Sequence, residues 1–102
     1  MQDISKNNSV ELIKEFGKVI REHRLSQKKT IYGISAECAM SKSTWREAEI
    51  GACKDIKFTT IWKIAEGLGL EPAKLMEELK TRLGKNFSLT GCDDWFILLF
   101  VF

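Results

Sequence analysis

The sequence predicts an all-α protein in which five helices pack around one compact core. The chain has 102 residues, and 44% of them are hydrophobic, which is enough for a single core without disulfides. One proline, seven glycines and 29% charged residues are typical of a mostly helical globular domain. Apolar residues also recur every three or four positions in several segments, which is the spacing of a buried helical stripe.

The first helix is predicted to run from Asn8 to about Leu25. The side chain of Asn8 can cap the first turn, and Glu11, three residues later, can complete a capping box. The inward stripe of this helix comprises Leu12, Ile13, Phe16, Val19 and Ile20.

Two short helices separated by a tight turn are predicted next. Thr30 is a suitable cap for a helix from Ile31 to about Cys38, with Ile34 facing inward. Ser41 can cap the following helix, residues 42–50, and Gly51 can end it in a left-handed conformation. On this third helix, Trp45, Ala48 and Glu49 share one face, and Lys42, Ser43, Arg46, Glu47 and Ile50 lie towards the other.

The fourth and fifth helices follow from a second pair of apolar stripes. The fourth begins near Phe58, includes Trp62 as an expected core residue, and is stopped by Gly67 and Gly69. Pro72 suits the first position of the fifth helix, which continues to Gly84. The apolar positions of the fifth helix are Leu75, Met76, Leu79 and Leu83.

Residues 1–84 are therefore predicted to form the domain, and residues 85–102 a short C-terminal tail. The tail ends in eight consecutive apolar residues, 95–102, which must be hidden from water. This run could form a β-strand buried on both faces, pair with its copy in a second subunit, or fold over the fifth helix. A non-native tail is a further alternative.

Several function classes are disfavoured by composition. Three widely spaced cysteines and a single histidine, His23, favour neither a disulfide framework nor a zinc site, so no metal and no cofactor is expected. No catalytic motif is present, and an enzyme is not expected. The chain lacks a signal-peptide pattern and any apolar stretch long enough for a bilayer, which predicts a cytoplasmic protein away from the membrane.

The central segment carries the positive charge. Residues 20–57 hold eight basic and five acidic side chains, a net charge of +3 (8 − 5), whereas the whole chain carries +2. A bias of this size is also found on ordinary solvated surfaces, so charge alone does not indicate nucleic acid.

The segment 31–50 has the residue spacing of a helix-turn-helix. Two helices that cross steeply over a short turn need small residues where they touch and apolar residues behind the second helix. Ile34, Ser35, Ala39, Met40, Trp45 and Ala48 meet these requirements.

The sequence resembles the phage Cro/repressor (Xre-like) family beyond this motif. Residues 20–24, IREHR, are similar to the family's IRxxR, and residues 49–51, EIG, to its ExG. The pattern from Phe58 to Gly69 is similar to its fourth helix. The resemblance covers residues 8–84 and implies a lambda-repressor-like domain in which Arg24 pairs with Glu49. This chain departs from the family at Ala39, where glycine is usual.

The resemblance implies sequence-specific binding of double-stranded DNA, with the third helix in the major groove. Lys42 and Ser43 are then expected at base edges, and Arg46 and Glu47 at bases or neighbouring phosphates. The candidate phosphate contacts are Thr30, Ile31, Ser41, Thr44, Lys54 and Lys57, with Lys28 and Lys29 as further candidates.

Family members generally bind palindromic operators as homodimers, and the same is expected here. The expected interface is formed by the fifth helix and the tail: Leu75, Met76, Leu79, Leu83, Trp95 and Phe96. The resulting hypothesis is a transcriptional regulator, a repressor of the phage or restriction-modification controller type. The alternative is a protein-interaction adaptor or antitoxin-like partner that uses the same fold.

Overall fold

The computed structural model describes residues 4–90, with side chains from Asn8 onward, and contains five helices. The predicted all-α class is confirmed, and no strand occurs among residues 4–90. The helices are α1 (Ile4–Ser26), α2 (Ile31–Glu37), α3 (Lys42–Ile50), α4 (Phe58–Gly67) and α5 (Pro72–Leu83).

One hydrophobic core joins all five helices. Helix α1 packs against α3 and α5, α2 packs against α3 and α4, and α4 packs against α5. Ile20, Ile34, Trp45, Ile64 and Leu75 are completely buried at its centre. Burial of each such side chain contributes about 1.5–3 kcal/mol, and since there is one on each helix, their burial favours packing of all five helices together.

The start of α1 differs from the sequence prediction. The helix begins at Ile4, so Asn8 lies within it and does not act as its cap. The Asn8 amide Nδ2 instead donates a hydrogen bond to the carbonyl oxygen of Ser88, 80 residues later in the chain. The local capping pattern is therefore used for a long-range contact with the segment that follows α5.

On helix α4, the prediction that Trp62 is a core residue was wrong. Its side chain is 47% exposed, and Phe58, one turn earlier, is 73% exposed. The two rings meet edge to face with centroids 6.1 Å apart, and the indole Nε1 of Trp62 donates to Glu66 Oε2 at 3.2 Å. The apolar stripe of α4 is thus wider than the part that the other helices cover.

Glycine lets two helices approach closely at Gly17 of α1. A Cβ atom at this position would lie 2.4 Å from the carbonyl oxygen of Glu49 and 2.6 Å from that of Ala48. No side chain fits in that space, so α1 can cross the end of α3 at this distance only with glycine at position 17.

Trp95 and Phe96 lie outside the described residues, as does the apolar run to which they belong. The division into a domain of residues 1–84 and a tail of residues 85–102 stays a prediction. None of the five helices in the described part combines the length and the apolar character needed to cross a bilayer.

Candidate nucleic-acid interface

Helix α3 has a defined beginning and end. The Ser41 hydroxyl accepts a hydrogen bond from the Thr44 amide at 3.1 Å and lies 2.9 Å from the Thr44 hydroxyl. Gly51 closes the helix in the left-handed region, with φ of 70°, and its amide bonds back to the Ala48 carbonyl. Both ends of α3 are therefore capped within the described structure.

The turn before α3 separates it from α2 as two distinct helices. Helix α2 ends at Glu37, and Ala39 takes a left-handed conformation with φ of 55°. The Met40 amide donates to the Ser35 carbonyl at 3.0 Å and closes the turn. A left-handed residue at this place explains why a glycine is usual there, since alanine has a steric cost that glycine avoids.

The two faces of α3 differ sharply in exposure. Trp45, Ala48 and Glu49 are buried against the rest of the molecule. The opposite side is open to solvent and presents cationic, hydroxyl and carboxylate groups. Its exposed residues are Lys42, Ser43, Arg46, Glu47 and Ile50.

Arg24 and Glu49 form the link that holds this helix in position. Arg24 Nε donates to Glu49 Oε2 at 2.9 Å, and Nη2 donates to Oε1 at 2.7 Å. The third nitrogen, Nη1, donates to the Lys29 carbonyl at 2.9 Å. Trp45 Nε1 also donates to the Glu49 carboxylate. One guanidinium therefore connects α1, the segment before α2 and the end of α3.

This arrangement favours the charged forms of both partners. Burial raises the pKa of Glu49, but the hydrogen bonds from Arg24 and Trp45 lower it more, so the net shift is downward. The hydrogen bonds to Glu49 raise the pKa of Arg24. The bidentate geometry is the strong form of a guanidinium–carboxylate pair.

The candidate phosphate contacts are distributed around the exposed face. Thr30 Oγ1 accepts from the Gly33 amide at 2.9 Å as the cap of α2, and Ile31 is half-buried. Lys54 and Lys57 are exposed in the loop after α3. Of the further candidates, Lys28 is exposed, and Lys29 Nζ lies 2.6 Å from Glu37 Oε2.

Lys42 has a specific neighbour on α2. Its ammonium group lies 5.6 Å from the centroid of the Tyr32 ring, within cation–π range. Tyr32 is itself 70% exposed. The pair holds the lysine over the N-terminal end of α2, at the edge of the face that α3 presents.

Sequence reasoning missed a second set of cations on α1. Lys14, Lys18 and Arg21 line a groove between α1 and α3 together with Arg46. Their spacing of four and three residues places them on one side of a helix, a pattern that was visible in the sequence. Such a spacing of basic residues also occurs on ordinary solvated helix faces, so by itself it did not indicate a site.

The expected dimer residues of α5 fall into two groups. Leu75 and Leu79 are buried in the core of the monomer, so neither side chain is available to a second copy. Met76 and Leu83 are half-buried at the core edge. Met76 lines an apolar groove between α4 and α5 with Phe58, Ile61, Trp62, Pro72 and Ala73.

The cysteines within the described residues, Cys38 and Cys53, are both free thiols. Burial raises the pKa of Cys38 to about 11, and burial also raises the pKa of Cys53. Cys38 packs against Gly67 between α2 and α4 and serves as a small apolar core residue. Residues 4–90 contain no cluster of three or more metal-ligating side chains.

The described residues have the fold of Xre-like helix-turn-helix regulators. The fold consists of five helices, in which a capped α3 is exposed beside a short α2 and is held by the Arg24–Glu49 pair. Two solved structures are similar to this chain. The restriction-modification controller protein C.AhdI from Aeromonas hydrophila is 25% identical, with a TM-score of 0.58, over 64% of this chain and 96% of that protein. The clp gene regulator ClgR from C. glutamicum is 18% identical, with a TM-score of 0.64, over 72% of this chain and 94% of that protein.

The second likeness concerns the fold alone. No protein-family model matches the chain, and no curated protein sequence does. The predicted resemblance to Xre-like regulators is confirmed at the level of the fold.

Proposed function

We propose that the chain is a transcriptional regulator that binds double-stranded DNA sequence-specifically through α3. The observation that carries the proposal is the exposed polar face of a short helix whose other face is buried and whose ends are capped. The similarity to C.AhdI, a restriction-modification controller protein, supports a regulatory role, and the similarity to ClgR supports the fold. A regulator of this kind acts on DNA in the cytoplasm.

The dimensions of α3 suit the major groove of B-DNA. An α-helix with its side chains is about 10–12 Å across, and the groove is about 12 Å wide. Helix α3 has nine residues and stands at the surface, so its first two turns can enter the groove without moving another element. Lys42 and Ser43 then lie at base edges, and Arg46 and Glu47 follow one turn later.

The chemistry of these four side chains permits discrimination among base pairs. Lysine and arginine donate to guanine O6 and N7, serine pairs with several acceptors and donors, and a glutamate accepts from cytosine N4. Ser41, Thr44, Lys54 and Lys57, with Thr30 and Ile31 at the start of α2, contact the flanking phosphates and set the register.

A homodimer on a palindromic operator completes the proposal. A single module of this size buries too little surface for selective binding, and two copies place two α3 helices about one duplex turn apart. The apolar groove between α4 and α5 supports such an assembly, because in the monomer it leaves Phe58 largely and Trp62 about half exposed to water. A regulator that occupies its operator in this way represses by blocking the promoter.

The test is selection of bound duplexes from a randomised pool, followed by sequencing. We expect a palindromic site, and we expect Lys42→Ala and Arg46→Ala to weaken binding to it at least about fivefold, since each base contact contributes about 1–3 kcal/mol. Lys74→Ala is the matched control, because Lys74 is an exposed lysine on α5, which packs on α1 and α4. The control is expected to bind like the wild type.

Failure to enrich any duplex would overturn the proposal. Stable binding to a partner protein, with indifference to DNA, would instead assign the chain to the adaptor or antitoxin-like class. Equal losses in Lys74→Ala and the α3 variants would mean that binding depends on net charge and not on α3.

A further inference from the structure

Helix α1 separates its charged side chains onto two sides. The carboxylates of Glu15 and Glu22 face α5, where Arg82 donates to them at 3.0 and 2.9 Å. The hydrogen bonds from Lys18 and Arg82 lower the pKa of Glu15, so it stays charged in this contact. Glu15 and Glu22 are thus already paired with Arg82 of α5 within the molecule.

The basic side of α1 faces α3 across an open groove. Five cationic side chains and one carboxylate line this α1/α3 groove, a net charge of +4, against +2 for the whole chain. The single carboxylate is Glu49, which Arg24 already engages with both of its oxygens. The other cationic residues of the groove are Lys14, Lys18, Arg21 and Arg46.

Internal counterions compensate this charge only weakly. Lys18 Nζ donates to Glu15 at 2.9 Å, but the lysine side chain is 60% exposed. Arg21 Nε lies 3.7 Å from Glu49 Oε1, beyond hydrogen-bond length, and its side chain is 63% exposed. Exposed pairs of this kind contribute little to stability and are readily exchanged for a stronger anion. Lys14 and Arg46 form no ion pair with any side chain between residues 8 and 90.

The α1/α3 groove is continuous with the exposed face of α3. Lys42, Arg46 and Ile50 follow one another at four-residue spacing, and the last two line the groove. An anion held here would therefore lie beside a duplex whose bases contact the first turns of α3. Lys14, Lys18 and Arg21 span about 10 Å along α1, long enough to follow two or three successive phosphates of one strand.

We propose that the α1/α3 groove is a second phosphate-binding surface, which holds backbone phosphates of the duplex outside the base pairs that α3 contacts. The inference rests on the proposed function and adds a sequence-independent part to it. The groove increases affinity and lengthens the bound site without altering which bases are preferred.

The test compares two doubly substituted proteins on the selected operator, in a short duplex and in one extended by six base pairs at each end. Lys14→Gln/Lys18→Gln removes two groove charges and keeps the side-chain stems, which matters because Lys14 packs against Gly51. Lys74→Gln/Lys85→Gln removes two charges from exposed lysines elsewhere. Binding is measured across a series of salt concentrations.

The groove variant is expected to bind the extended duplex at least tenfold more weakly than the wild type does. The slope of log K against log salt should fall by about 1.8, or about 0.9 for each phosphate that a lysine no longer neutralises. Its base preference in the randomised pool should be unchanged. On the short duplex, the groove variant, the control and the wild type should bind alike.

Equal binding of the groove variant and the wild type to the extended duplex, while Lys42→Ala loses binding, would overturn this inference and leave the proposed function intact. Absence of any preferred duplex would overturn both. A third arm titrates inorganic phosphate into the free protein at constant ionic strength. Saturable shifts of the Lys14 and Arg46 amide resonances at millimolar phosphate, together with equal binding of the groove variant and the wild type to the extended duplex, would assign the groove to a free anion and not to the DNA backbone.

Discussion

Glu49 shows how one buried carboxylate can determine the position of a whole helix. It is 8% exposed, and it accepts hydrogen bonds from Arg24 on α1 and from Trp45 one turn earlier on α3. Burial alone would favour its neutral form, but these donors hold its pKa below the usual value. The negative charge is therefore kept inside the molecule and stabilises the folded state.

Replacement of this carboxylate should weaken the fold in a pH-dependent way. Glu49→Gln is expected to lower the free energy of unfolding by about 3 kcal/mol at pH 7, because Arg24 loses its charged partner in a shielded position. A pKa lowered by folding contributes stability above about pH 4.5, and that contribution is lost as the pH falls through the folded-state pKa. Urea unfolding of both proteins between pH 3 and pH 7 measures the difference, which should shrink on acidification.

Glu37→Gln is the control for this measurement. Glu37 is half-exposed and, among residues 8–90, pairs with Lys29, so its replacement should cost less than about 1 kcal/mol. If the loss of unfolding free energy in Glu49→Gln stayed constant from pH 7 to pH 3, this would contradict the conclusion that Arg24 lowers the pKa of Glu49.

At the scale of elements, the sequence predicted the short helices better than the long one. Thr30, Ser41, Gly51 and Pro72 are local signals, since a cap or a left-handed stop acts within one turn. The starts of α2, α3 and α5 and the end of α3 lie where these residues indicate. The predicted start of α1 was wrong, because the helix begins at Ile4 and the Asn8 amide bonds to Ser88. No local sequence pattern contains that distant partner.

The sequence also did not show how much of each apolar helix face is buried by a neighbouring helix. The three- and four-residue spacing of α4 predicts that Phe58 and Trp62 share a side with core residues, but it does not say how far another helix extends over that side. The same limit applies to α5, where Leu75 and Leu79 are core residues and not interface residues. On α1, the side that carries Glu22 was also not predictable, because its partner Arg82 lies 60 residues further along the chain.

Gly17 shows that the crossing of α1 and α3 depends on a missing side chain. A glycine in the middle of a helix is unfavourable by about 1 kcal/mol relative to alanine, so its presence there indicates close packing. Gly17→Ala would place a methyl group 2.4 Å from a backbone carbonyl oxygen, which cannot swing away as a side chain can.

We therefore expect Gly17→Ala to destabilise the protein by about 1–3 kcal/mol, the usual cost of overpacking. Chemical denaturation measures this cost. Gly33→Ala is the matched control, because its Cβ would lie 3.2 Å from Thr30 Oγ1, a side-chain atom that can shift. The control should be near neutral, and equal stabilities of the two variants would show that α1 and α3 are far enough apart to admit a methyl group.

At the scale of the whole molecule, the groove between α4 and α5 is the apolar surface that a second copy can cover. Phe58, Trp62 and Met76 line it, with a volume of about 590 Å³. Large exposed aromatic side chains that adjoin one another are typical of association surfaces. The C-terminal tail remains the other predicted part of the interface.

Phe58→Ser/Trp62→Ser is accordingly expected to convert a dimer into a monomer while leaving the monomer folded, because Phe58 is largely exposed and Trp62 half-exposed in it, outside the core. Sedimentation velocity over a range of protein concentrations measures this change, and circular dichroism checks the fold. Tyr32→Ser removes an aromatic side chain that is 70% exposed on α2 and should leave the dimer unchanged. A dimer that survives the double substitution would shift the interface to residues 91–102.

The division of charge on α1 also bears on how the molecule meets its target. Glu15 and Glu22 of α1 face Arg82, whereas Lys14, Lys18 and Arg21 line the α1/α3 groove, so charge is unevenly distributed over the surface despite a net charge of only +2. In the field of a polyanion, such a molecule rotates during diffusion so that its positive side leads. Each productive collision would then begin with α3 already facing the duplex, and the rate of encounter would fall as added salt shortened the range of that field.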